Sequence, residues 1–177
     1  YLLLENNATN QPNVNALLSL MCFHASRFAA RRGEQGEMIL YEDQDERLWN
    51  RDCIATGAWH LKNASQGNTL TRYHLEATIA YWHTVKEESR EKWENVMSLY
   101  NQLLIIAYSP IAALNRTYAL SKVQGNEVAL AELNKLQLDT NPHYHALFGE
   151  LLKDKDINKA VEHLRKAADL TSQPASK

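Results

Sequence analysis

Residues 144–170, YHALFGELLKDKDINKAVEHLRKAADL, decide the fold class of this chain. In their first half, apolar side chains lie three or four positions apart at Tyr144, Leu147 and Leu151, which is the spacing of one face of an α-helix. The second half repeats this spacing with its isoleucine, valine and leucine residues. Two amphipathic segments in immediate succession predict a helical hairpin.

Two further hairpins are predicted upstream of this one. The first occupies about residues 70–107 and the second about residues 110–136, each with two helical stripes of apolar residues. Pro110 and Pro142 stand at the starts of successive pairs, 32 residues apart, and proline is favoured in the first turn of a helix. The spacing therefore indicates an internal repeat.

Residues 144–170 resemble a tetratricopeptide repeat, a helix pair of about 34 residues. Phe148 and Lys155 depart from it, because they occupy positions that commonly carry glycine. The preceding pair keeps Gly125 and Ala129 but has a shorter turn, so the repeats are degenerate. Stacked pairs of this kind form a right-handed superhelix with a concave binding face.

A long helix is predicted near the N-terminus, with Pro12 in its first turn. Its apolar face is predicted to carry Val14, Leu17, Leu18, Met21, Ala25 and Phe28. Near its end, Arg27, Arg31 and Arg32 are expected to form a basic edge that complements the helix dipole.

A short apolar run follows, and we interpret residues 37–42 as an extended connector. Beyond it, apolar residues at helical spacing predict a second helix that runs from about Leu48 to Asn63. The expected fold is all-α, with a single helical-repeat domain over residues 1–171 and a tail at 172–177. Within it, residues 1–68 contain the N-terminal helices and residues 69–171 contain the three pairs.

The composition is that of an ordinary soluble protein. The 177 residues include 19 Lys plus Arg and 21 Asp plus Glu, a net charge of −2, and 45% are hydrophobic. This balance excludes a module that grips a phosphate backbone by itself. No apolar run approaches the ~20 residues that cross a bilayer, and the two cysteines form no CxxC pair. We therefore expect a cytoplasmic protein without membrane contact, and the initial Tyr1 suggests a piece of a longer protein.

The sequence favours a binding role over an enzymatic one. There is no HExxH, GxSxG, Walker or dinucleotide motif, so we expect no catalytic residue, metal or cofactor. His143 and His145 are the closest histidine pair but lack a carboxylate at ligand spacing. Cys22 and Cys53 are expected to be small core residues rather than nucleophiles.

The densest polar string, residues 42–47, has two interpretations. Asp43 with Glu46 three positions later fits a capping box of the second helix, since acids suit a helix start. Alternatively, the string makes charge-assisted contacts inside the protein or with a partner. The contact residues are then Asp43, Gln44, Asp45, Arg47 and, as an aromatic anchor, Trp49.

Several strings resemble the long C-terminal extension of one group of extracytoplasmic-function (ECF) sigma factors. LLSLMCFHASRFAAR at residues 17–31 is similar to its LLALMLLHDARRxAR helix, and LYEDQDERLWNR at 40–51 to its LLEDQDRSLWDR. YHLEATIA at 73–80 and SPIAALNR at 109–116 are similar to its YQLQAAIA and PSPVVALNRA. Glu46, Arg47 and Asn50 depart from the family string, which has arginine, serine and aspartate at these positions.

The resemblance implies a C-terminal regulatory and protein-interaction domain that acts in bacterial transcription initiation. It also implies contact with the protein's own sigma regions and with core RNA polymerase, while DNA would be bound only through promoter-binding regions that this chain lacks. A free-standing tetratricopeptide-like adaptor that binds a peptide or protein is the alternative. A helical enzyme that uses acids of the string and a distant histidine is a third hypothesis.

Overall fold

The computed structural model describes residues 4–33, 39 and 41–172. These residues form eight α-helices and no strand: α1 Pro12–Ser26, α2 Arg51–Ala64, α3 Arg72–Trp82, α4 Arg90–Ile106, α5 Pro110–Gln124, α6 Asn126–Leu136, α7 Pro142–Leu152 and α8 Ile157–Ser172. Three short 3-10 helices lie at Ala29–Arg31, Tyr41–Asp43 and Glu46–Leu48. The predicted all-α class is confirmed, whereas the right-handed superhelix stays a prediction.

The helices divide into two compact units, residues 1–88 and residues 89–177. The first unit contains α1 to α3, and the second contains α4 to α8. The two helices of the first predicted hairpin, α3 and α4, therefore fall in different units. The expected single domain stays a prediction, and each unit is described by itself.

In the first unit, α1 packs against both α2 and α3. Its buried face carries mainly small or polar residues, namely Asn15, Ala16, Ser19, Phe23 and Ser26. The predicted apolar face is wrong, since Met21 and Phe28 are 58% and 63% exposed. The reason is close packing: Ser19 Oγ donates a buried hydrogen bond of 2.8 Å to the Gly57 carbonyl of α2.

Local capping groups fix the helix starts of this unit. Asn50 caps α2 by accepting a 2.9 Å hydrogen bond from the Cys53 amide. The second helix therefore begins at Arg51 rather than near Leu48. The predicted extended connector at 37–42 is also wrong at its end, because Tyr41–Asp43 form a turn of 3-10 helix. Positions 37, 38 and 40 lie outside the described residues.

The second unit winds its helices in sequence, each packed on the next from α4 to α8. Ser109 and Asn141 cap α5 and α7, and Pro110 and Pro142 occupy their first positions as predicted. The core cluster consists of Leu114, Ala129, Leu133, Tyr144, Leu147, Phe148 and Leu151. On α8, which packs against α7, Ala160 is also buried.

The α7–α8 hairpin accommodates phenylalanine at the position where tetratricopeptide repeats commonly carry glycine. Phe148 is buried, and its ring stacks on His163 of α8 at 4.5 Å between centroids. The close approach of the two helices occurs one residue later, at Gly149. A Cβ there would lie 2.5 Å from Leu164 Cγ, so only glycine fits without a shift.

A pair of histidines joins the same two helices. His145 Nε2 donates 2.9 Å to the Asp139 carbonyl, so its Nδ1 must accept the 3.0 Å hydrogen bond from His163 Nδ1. Burial lowers the pKa of His163, the nearby His145 and Lys166 lower it further, and Glu162 opposes them. A proton on both facing nitrogens would break this contact.

Candidate partner-contact site

The segment of residues 41–50 is anchored in the first unit by contacts to residues just beyond α3. The Tyr41 ring lies 5.3 Å from that of His83, edge to face, and its hydroxyl donates 3.3 Å to the Val85 carbonyl. Lys86 Nζ donates to three carbonyls of the segment, at 3.0, 2.9 and 3.2 Å from those of Tyr41, Glu42 and Gln44. A residue about forty positions away therefore holds the turn in place.

Trp49 is the buried aromatic residue of this segment. Its side chain is buried at 3% exposure and stacks on Tyr41 with 6.4 Å between ring centroids. The Asn50 amide donates 2.8 Å to the Ser26 carbonyl, which ties the segment to the end of α1. Trp49 thus makes intramolecular contacts, and replacing it with alanine would remove part of the core of the first unit.

Arg27, at the end of α1, lies above both aromatic rings. Its Cζ is 5.4 Å from the Tyr41 centroid and 5.9 Å from the Trp49 centroid. The residue is only 7% exposed, and burial, helped by the nearby Arg31, lowers its pKa to about 10. The predicted basic edge is therefore wrong for Arg27, which is a buried cation.

Asp45 and Arg47 form an exposed ion pair with each other. Arg47 Nε lies 3.0 Å from both Asp45 oxygens, and Nη2 lies 2.7 Å from Oδ2. Asp45 also accepts from the Arg47 amide at 2.9 Å, and these bonds lower its pKa to about 2. The two charges thus neutralise each other, and both side chains are accessible to solvent.

The capping interpretation of the acidic string is wrong. Asp45, rather than Asp43, is the capping side chain, and it caps the short helix Glu46–Leu48 instead of α2. Asp43 is exposed, whereas Gln44 is buried and donates weakly to the Ile39 carbonyl at 3.4 Å. The structure therefore brings the predicted contact residues together but leaves only Asp43, Asp45 and Arg47 at the surface. Their binding to a partner stays a prediction.

Arg27 is the residue of this site that sequence reasoning misplaced. Its position carries a usable signal, because Ser19, Phe23 and Arg27 follow one another at four-residue steps and so share one helix face. Once Phe23 is known to be buried, the four-residue spacing places Arg27 on the same buried face of the helix. The wrong choice of apolar face concealed this.

The first unit also contains a cavity of about 650 Å³ between α2 and α3, with Leu61, Leu70 and Tyr81 in its lining. His74 forms part of its wall, but its Nδ1 accepts from the Thr71 amide and its Nε2 donates to the Ala64 carbonyl, both at 3.2 Å. Its imidazole is thus a capping group of α3. In the part of the chain that the structure describes, no three potential ligand side chains are grouped around a metal position.

Cys22 and Cys53 lie close enough to influence each other. Burial raises the pKa of the Cys22 thiol, and the neighbouring Cys53 raises it further. A thiol with a raised pKa is a poor nucleophile.

Among the described residues, none of the helices combines the length and the hydrophobicity that a membrane-spanning segment needs.

The comparisons with known proteins match the part of the chain that contains Arg27 and the acidic string. Residues 1–65 match the model of a family of unknown function (DUF6596). The match includes α1, the acidic string and α2. The chain is also 36% identical over 155 residues to an uncharacterized protein of Rhizobium meliloti (strain 1021). That alignment includes 86% of this chain and 36% of the relative, so the chain spans about a third of the relative's length. No solved structure matches the chain.

Proposed function

We propose that this chain is the C-terminal regulatory part of an ECF-type sigma factor and acts through protein contacts in bacterial transcription initiation. One observation carries the proposal. Two of the strings that carry the family resemblance, residues 17–31 and 40–51, meet in the structure, where Arg27 of the first lies over Tyr41 and Trp49 of the second. The resemblance therefore covers residues that pack against one another, rather than scattered surface positions.

The proposed partners are the protein's own sigma regions and core RNA polymerase. The length of the Rhizobium meliloti relative supports this, because most of that protein lies outside the aligned region. Asp43, Asp45 and Arg47 are the surface residues proposed to contact them. An exposed, preformed ion pair suits a directional contact that sets orientation more than affinity.

Run-off transcription with the full-length protein tests the proposal. Deletion of residues 1–177 is expected to alter promoter-dependent transcription, and Asp45→Asn is expected to alter it in the same direction without changing thermal unfolding. Glu132→Gln is the matched control, because Glu132 forms an equally local, exposed ion pair with Lys135 in the second unit. The proposal is wrong if the full-length protein contains no sigma regions, or if deletion leaves transcription unchanged.

An adaptor that binds a peptide or protein is the second candidate, and α8 favours it. Ile157, Val161 and Leu164 are exposed at positions i, i+4 and i+7 and form an apolar stripe on this helix. A full-length protein without sigma regions, together with a partner whose binding is lost in Val161→Asp but kept in Lys159→Asp, would establish this function instead.

A further inference from the structure

Arg27 is a buried cation without a counter-charge among the described residues. Its guanidinium is sealed on most sides, and no hydrogen bond or ion pair reaches it from the part of the chain that the structure describes. A buried charge without a partner is costly, and arginine is almost never buried unpaired. The two aromatic rings stabilise the charge through cation–π contact but supply no carboxylate.

Two buried neighbours are also incompletely satisfied. Among the described residues, the donors Trp49 Nε1 and Arg27 Nε have no hydrogen-bond partner, and neither has the acceptor Gln44 Oε1. Gln44 and Trp49 flank Tyr41, which lies under Arg27, so all three groups belong to one cluster. Buried polar atoms are nearly always paired, so the two unpaired donors, Arg27 Nε and Trp49 Nε1, indicate a contact completed by an acceptor from another molecule.

Two acids of the nearby string, Asp45 and Glu46, have cations of their own. Asp45 is held by Arg47, and the carboxylate of Glu46 lies 3.9 Å from Arg51. A carboxylate is the best partner for the Arg27 guanidinium. Its two oxygens fit the planar donor fork of the guanidinium, and its negative charge offsets the positive charge of Arg27.

We propose that Arg27, supported by Tyr41 and Trp49, is a binding site for a carboxylate side chain, an aspartate or glutamate of a partner polypeptide. The Arg27 guanidinium donates to the carboxylate oxygens, and the aromatic rings hold the guanidinium in place. The proposal names the chemistry of the ligand and does not depend on the sigma-factor function. It also moves the centre of the contact site from the exposed pair of Asp45 and Arg47 to Arg27.

Nuclear magnetic resonance titration of the ¹⁵N-labelled 177-residue chain tests this site. The probe is N-acetylglutamic acid N-methylamide, and the neutral N-acetylglutamine N-methylamide is its isosteric control. Sodium acetate shows whether a free carboxylate is enough, and sodium chloride at equal ionic strength controls for screening. The readouts are the Arg27 Nε–H signal and the indole signals of Trp49 and the other three tryptophans.

The expected result is a saturable shift of the Arg27 and Trp49 signals at millimolar glutamate probe, while the Trp59 and Trp93 indoles stay in place. If acetate binds as tightly as the glutamate probe, the site recognises the carboxylate alone. If acetate binds more weakly, the polypeptide part of the probe contributes to binding. Both results support the site. An equal shift with the glutamine probe or with chloride refutes it.

Variants locate the binding. Arg27→Gln is expected to raise the Kd at least about tenfold, the effect of losing one charge-assisted contact. Arg32→Gln is the matched control, because Arg32 is exposed and its replacement changes the net charge equally. Arg27→Lys keeps the charge and removes the fork, which provides a second variant if the glutamine variant fails to fold. Unchanged binding in a folded Arg27→Gln chain would overturn the proposal.

Discussion

The crossing of α1 and α2 at Gly57 allows a sharp test of how the first unit packs. A Cβ added to Gly57 would lie 2.8 Å from Phe23 Cε1, 2.9 Å from Cδ1 and 3.2 Å from Cys22 Cβ. Phe23 is fully buried and packs against Tyr81 at 5.8 Å between ring centroids. Its ring must move by roughly half an ångström in a closed core to admit the methyl group.

Two opposing effects set the magnitude for Gly57→Ala. Alanine gains about 1 kcal/mol over glycine inside a helix, while overpacking of a closed core costs about 1–3 kcal/mol. The expected net effect is a destabilisation of about 1 kcal/mol. In a Phe23→Leu background the ring is gone, so the same substitution is expected to stabilise the protein by about 1 kcal/mol.

Urea unfolding of the wild type, the two single variants and the double variant, followed by circular dichroism and tryptophan fluorescence, measures these differences as midpoint shifts at constant m-value. Ala55→Gly is the control, because Ala55 is exposed on the same helix and reports helix propensity without a contact. If Gly57→Ala stabilises the wild-type background by the same amount as the Phe23→Leu background, the close approach of α1 and α2 is wrong.

Three further predictions concern the histidine pair and the candidate site. Because burial lowers the pKa of His163, the unfolded state binds more protons below about pH 6.5, and stability is expected to fall as pH drops through the lowered pKa. His163→Gln should flatten the dependence of the urea midpoint on pH between 7.5 and 5, and an unchanged slope would contradict the lowered pKa of His163. Trp49→Ala is expected to lower the free energy of unfolding by about 3–5 kcal/mol, while Asp45→Asn should leave the urea midpoint unchanged, so equal effects would contradict their assigned burial. Lys86→Met keeps the apolar stem but removes three hydrogen bonds to carbonyls, and a loss of about 1.5 kcal/mol in urea unfolding is expected; a neutral result would mean that Lys86 does not hold the turn.

The helix pattern could be predicted because its signals are local. Pro12, Pro110 and Pro142 mark the starts of three helices, and Gly125, with a φ of +90°, separates α5 from α6 where the sequence places a turn. Capping and proline effects act over three or four residues, so a single sequence contains them. The start of α2 was misplaced because Asn50, which caps it, follows a string of equally good capping residues.

The candidate site could be predicted only in part. The sequence singled out residues 43–49 as a group, and the structure does bring them into one segment. The sequence did not show that Gln44 and Trp49 are buried while Asp45 and Arg47 are exposed. That division depends on Lys86 and Arg27, which contact the segment from about 40 and 20 positions away in the sequence.

The sequence by itself determined the all-α class and, within a few residues, the bounds of the helices, because hydrogen bonding and capping within a helix are local. Tertiary structure decided which face of α1 is buried and made Arg27 a buried cation. The apolar residues of α1 occupy more than one face, so periodicity offered no unique choice. Small residues on the buried face let α2 and α3 approach closely, and burial depends on that approach from distant parts of the chain.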